Sequence, residues 1–80
     1  MGKLPDMTPP APHDPRPRAV VIRTVEQRIA DGTWPAGTQI FLGLLGEELG
    51  IGPDTVRKAM AELADRGLVR RWPGLGWYVS

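Results

Sequence analysis

The chain has no cysteine and a single histidine among its 80 residues. Without cysteine there is no disulfide framework and no thiolate zinc site, a composition that fits a reducing compartment. His13 lies among prolines with no neighbour suited to share a metal ion, so no metal ligand is assigned. No apolar run approaches the roughly 20 residues of a membrane-spanning helix, and the N-terminus lacks the apolar stretch of a secretory signal. A cytoplasmic protein without a membrane partner is expected. Catalytic groupings are missing too. No serine stands beside a base, and the adjacent pair Glu47-Glu48 diverges on a helix. Gly74-Leu75-Gly76 has neither the following helix nor the lysine of a phosphate loop. Neither an enzyme nor a cofactor is expected.

What is present is one small domain behind an arm. Residues 1–18 hold six prolines and few apolar side chains, and they read as a disordered, proline-rich, weakly basic arm. Residues 19–80 read as the folded domain. A helical pattern runs from about Pro17 to Ala30, with Ile22, Val25 and Ile29 on one face and Val21 at its edge. Asp31-Gly32 and Pro35-Ala36-Gly37 punctuate a loop in which Trp34 is suited to lid the core. Thr38 to Phe41 has the composition of a short strand. Leu42 to Leu49 is a short helix with Leu42, Leu45 and Leu49 in phase. Its Gly43 and Gly46 either weaken it or mark close approach of another backbone.

Gly50-Ile51-Gly52 is a turn of the length that joins two helices steeply. Gly52 suits an N-cap and Pro53 the first helical position. Val56, Ala59, Met60 and Leu63 then form a buried stripe, and the helix ends at Arg66 with Gly67 beyond it. Leu68 to Trp72 and Trp77 to Val79 are strand-like around a Pro73-Gly74-Leu75-Gly76 turn, with Trp72 and Trp77 placed for cross-strand packing or for a partner surface. The expected fold class is α+β, mainly α: three helices, a short strand and a C-terminal β-hairpin, the order of a winged helix-turn-helix.

The net charge is only +1, but it is unevenly spread. In residues 53–80, Arg57, Lys58, Arg66, Arg70 and Arg71 outnumber Asp54, Glu62 and Asp65, whereas residues 19–52 are net acidic. Positions 54, 57, 58 and 61 share the helix face opposite the apolar stripe. In a helix-turn-helix that face enters the major groove. Arg57 has the fork to bond guanine O6 and N7, and Asp54 can accept from cytosine N4 or cap the helix. Thr55 and Lys58 suit phosphate oxygens, and Ala61 is small enough for close approach. Arg70 and Arg71 lie on the hairpin, within reach of phosphates or a minor groove.

Three segments resemble the DNA-binding domain of GntR-type bacterial transcription regulators. "IADGTWPAGTQI" is similar to the family's passage from the first helix through a Gly-x-Tyr/Trp-Pro-x-Gly turn. "LGEELGIGPDTVRKAMAELADRGLV" resembles its helix pair, and "PGLGWYV" its wing tip. The resemblance implies DNA contacts from Thr55 and Arg57 and from the backbone at Gly74 and Gly76, with Leu75 between them. Departures accompany it. Gly52-Pro53-Asp54 stands where Ser-Arg-Thr is common, and "IFLGLLG" replaces a segment that carries another arginine. Two cationic contacts are missing and an acid is added, which implies a weaker grip or an altered target.

The expected function is therefore sequence-specific binding of double-stranded DNA by a small, nucleoid-associated regulator, a repressor without an effector domain. A homodimer or higher assembly on DNA would raise its affinity, and no small-molecule effector is inferable. The alternatives are a protein-interaction or oligomerising winged-helix adaptor, and an architectural, excisionase-like DNA-binding factor.

Overall fold

The computed structural model describes residues 16–80. The arm's proline-rich stretch and His13 lie outside them.

Helix α1 (Pro17–Ala30) starts on a proline, whose fixed φ suits a first helical turn. Pro17 and Arg18, grouped with the arm by composition, thus belong to this helix. Strand β1 (Gln39–Ile40) is short, and helix α2 (Leu42–Leu49) follows at once. Gly50 closes α2 in the left-handed region at φ 69°, where a side chain would be strained. Helix α3 (Pro53–Asp65) begins with Gly52 as N-cap and Pro53 at its first position. Strands β2 (Val69–Trp72) and β3 (Gly76–Val79) form an antiparallel hairpin, and β1 adds to the other edge of β3, giving the order β1-β3-β2.

The core gathers on α3. Val56, Ala59, Met60 and Leu63 are wholly buried against Val21 and Val25 of α1, Leu45 of α2, and Ile40, Val69 and Val79 of the sheet. Val21, expected at the edge of the stripe, is wholly buried, and Ile29 is only half-buried. Trp34 packs against the core's margin, as a lid should.

Gly46 explains how α2 and α3 come so close. A Cβ there would lie 2.7 Å from the Ile51 carbonyl oxygen and 3.4 Å from Val56 Cγ2. The Ile51 N–H donates to the Gly46 carbonyl at 2.9 Å, drawing the turn onto that position. Gly43 has no such reason, since a Cβ there meets nothing within 4 Å.

Long-range ion pairs tie the helices together. Arg66, at the end of α3, bonds Glu26 of α1 and, at 3.0 Å, Glu62. Arg18 approaches Glu62 at 3.9 Å. Arg28 makes a two-pronged bond to Glu48 of α2, one prong 3.1 Å long, while its guanidinium lies 5.2 Å from the centre of the Trp34 ring. The bond from Arg28 holds the Glu48 carboxyl below the ordinary glutamate range, and the same contact raises Arg28. Bonding to Glu62 first, and then the charge of Glu26, raises Arg66 in the same way. The Asp31 carboxyl is lowered by its bonds to Thr33, whose N–H donates to it at 2.9 Å.

Candidate nucleic-acid interface

A helix whose stripe is buried must present the opposite face to water. Asp54, Arg57, Lys58 and Ala61 are all exposed on α3, on the side away from Val56, Met60 and Leu63. Lys58 makes no ion pair among the described residues. Arg57 does: its Nη2 donates to Asp54 Oδ1, three residues back and one helical turn away. Both side chains are largely exposed, at 60% and 81%. The N-cap Gly52 has no side chain to cap α3, and among the described residues the Asp54 carboxylate accepts from Arg57 and not from the N–H groups of the helix end. The i,i+3 spacing of these two residues was the available signal for the pair.

Thr55 is half-buried. With Lys58 it borders an open groove of about 900 Å³ between the start of α1 and the outer side of α3. Arg16, Arg18, Arg23 and Arg66 line the same groove, against Glu26 and Glu62. The first two of these fall within residues 1–18, whose composition is that of an arm. Only the packing of α1 across α3 brings them beside the α3 cations.

The hairpin tip is built by Pro73 and Gly74. Leu75 N–H donates to the Trp72 carbonyl at 2.8 Å, and Gly74 has φ 79°, the pattern of a type II turn with proline then glycine at its centre. Gly76 already belongs to β3 and pairs with Trp72. Leu75 is 64% exposed at the very tip. Its carbonyl accepts from Gln39 Nε2 at 3.1 Å and from the Tyr78 hydroxyl at 3.4 Å, which fastens the tip to the sheet.

The register separates residues that are adjacent in sequence. Val69 opposite Val79 faces the core, so Arg71 opposite Trp77 lies on that same side and Arg70 opposite Tyr78 on the other. The two arginines therefore straddle the hairpin. Trp72 and Trp77 also fall on opposite faces, so they do not pack across the strands. Trp77 joins the core margin, whereas Trp72 stays 46% exposed beneath the Arg70 guanidinium, 5.5 Å from its ring centre.

Elsewhere on the surface, Phe41 (56% exposed) and Leu44 (64%) flank Gly43 at the start of α2. Among the described residues no helix is long and apolar enough to cross a membrane, and no cluster of His, Cys, Asp or Glu is arranged to hold a metal ion.

The family model for bacterial regulatory proteins of the gntR family matches residues 17–79. Among solved structures, a GntR family transcriptional regulator from Listeria monocytogenes is 26% identical, with a TM-score of 0.76 over 84% of this chain and 60% of that one. The N-terminal domain of AraR in complex with mutant ORR3 is also 26% identical, with a TM-score of 0.77 over 81% of this chain and 94% of that one. The DNA-binding domain of AraR in complex with operator ORX1 shares the fold at 23% identity, with a TM-score of 0.79 over 98% and 95%. The match thus spans about 60% of the Listeria regulator's chain. No curated protein matches the sequence.

Proposed function

The chain belongs to the gntR family of bacterial regulatory proteins, and from that premise we propose that it binds operator-like double-stranded DNA and represses transcription. The observation that carries the reading is the outward face of α3, which offers Asp54, Arg57 and Lys58 at the helix start, where helix-turn-helix proteins meet base edges. AraR's N-terminal domain, 26% identical, is itself solved in complex with mutant ORR3, which supports transfer of the binding role.

In this reading α3 lies in the major groove. Arg57 bonds guanine, while Thr55 and Lys58 take phosphate oxygens. Arg70 and Arg71, on opposite faces of the hairpin, reach the two walls beside it, and the backbone of Gly74, Leu75 and Gly76 approaches a phosphate. One such module binds weakly and with strong salt dependence, so a homodimer or tandem copies on DNA supply the affinity. Repression follows from occupying the operator.

Selection of bound sequences from random DNA duplexes tests the function. Enrichment of a short motif, repeated at helical spacing if the protein binds as a dimer, is expected. No enrichment at low salt defeats the reading. Exposed Phe41, Leu44 and Trp72 favour a second reading, a protein-interaction adaptor. An NMR titration with random duplex separates the two: shifts at Asp54–Lys58 and Arg70–Gly76 mark DNA binding, and their absence marks the adaptor.

A further inference from the structure

Resting on that DNA-reading role, we infer that Asp54 is a positioning residue that sharpens the base selectivity of Arg57 while weakening the overall grip on DNA. The ion pair between Arg57 Nη2 and Asp54 Oδ1 is the one hydrogen bond or ion pair either side chain makes among the described residues. Asp54 is not spent on capping α3, because among the described residues its carboxylate accepts from Arg57 and from no N–H group at that helix start.

A guanidinium carries five N–H donors in a fixed plane. One of them on Asp54 leaves a donor pair free for guanine O6 and N7. The tether draws Arg57 back over the first turn of α3, the part of the helix that faces bases. An untethered arginine on an exposed helix face is free to swing to any phosphate, and phosphate contacts carry no sequence information. The Asp54 carboxylate also lies where DNA phosphates must approach, and it repels all duplexes alike. Removing it therefore has two effects of opposite sign. Affinity for arbitrary DNA rises, and discrimination between sequences falls.

This separates Asp54 from two simpler roles. A carboxylate that only repels DNA shifts affinity for every sequence equally. A carboxylate that itself reads cytosine N4 governs a base pair other than the one governed by Arg57.

The test compares the native chain with Asp54→Asn, Asp54→Ala, Arg57→Ala and the double variant Asp54→Ala/Arg57→Ala. Each is taken through selection from random duplexes and through titration with its best sequence and with random duplex. With Asp54→Ala, binding to random duplex at low salt strengthens about two- to threefold. The preference at the Arg57-dependent base pair weakens about fivefold, and the double variant discriminates no worse than Arg57→Ala alone. Asp54→Asn falls between, since its amide oxygen still accepts from Arg57. Equal strengthening on all sequences overturns the inference, as does a loss mapping to a different base pair. In the DNA-free protein, the Arg57 side-chain N–H resonances move in Asp54→Ala, and unmoved resonances also overturn it. If the native chain enriches no sequence while those resonances do move, the failure lies in the DNA reading, and the selectivity role falls with it.

Discussion

The α1 flank of the molecule and its α3–hairpin front use the same residue type for different work. On the flank, Arg28 and Arg66 reach across to acids on other helices, Glu48 and Glu26, and thereby join elements 20 and 40 residues apart in sequence. On the front, among the described residues, Arg57 and Arg70 find only local neighbours, Asp54 on the same turn and Trp72 on the same strand, while Lys58 and Arg71 have no ion-pair partner. A net charge of +1 hides this division. Cations satisfied by distant acids contribute to the fold's geometry, and cations held by near neighbours in water remain free to exchange them for another anion.

The sharpest break between the two regions runs through α3 itself, whose inner face serves the core. Met60→Ala removes a wholly buried side chain beneath the outward face and should cost about 2–5 kcal/mol. For a domain this small that unfolds much of the population, as urea denaturation followed by circular dichroism will show. Arg57→Ala, three residues earlier on the opposite face, should leave the melting temperature unchanged and lower affinity for the selected sequence by about tenfold or more. A comparable loss of thermal stability in that variant would erase the distinction between front and flank.

Lys58→Ala should be milder. It weakens binding evenly across sequences and reduces the slope of log affinity against log salt by about 1, a change read from titrations at several salt concentrations. Arg66→Ala should do the reverse, lowering the melting temperature slightly with DNA affinity preserved. Loss of binding there would move the groove along α1 into the reading surface. The smallest effect concerns acid. Because the Arg28 contact lowers the Glu48 carboxyl in the folded state, its contribution is present above the unfolded value of about 4.3 and fades as pH falls through the lower folded value. Arg28→Ala should flatten that part of the stability–pH curve in thermal melts run from neutral pH down through and below the ordinary glutamate range.

Much of the fold was legible because its signals are local. The α2 span and the start of α3 follow from leucine spacing, Gly50 and the Gly52-Pro53 cap, and the Val56–Leu63 stripe is buried throughout. The reading surface was legible in part. Asp54, Arg57 and Lys58 are outward as the stripe requires, yet the Asp54–Arg57 pair was visible only as a spacing, one turn apart. Arg70 and Arg71 read as one cluster, and the period of two along a strand puts them on opposite faces once Val69 is committed to the core.

By itself, then, the sequence determined the order and approximate extent of the helices and strands, and which stripe of α3 is buried. Those outcomes depend on neighbours within a turn or two, through backbone conformation and hydrophobic period. The tertiary structure alone decided that Gly46 must yield its side-chain space to the Ile51 carbonyl, that Arg16, Arg18 and Arg23 border the same groove as Lys58, and which arginines stay available. Those outcomes depend on residues brought together across tens of positions, where a charge's partner is set by how helices pack and not by what stands beside it in the chain.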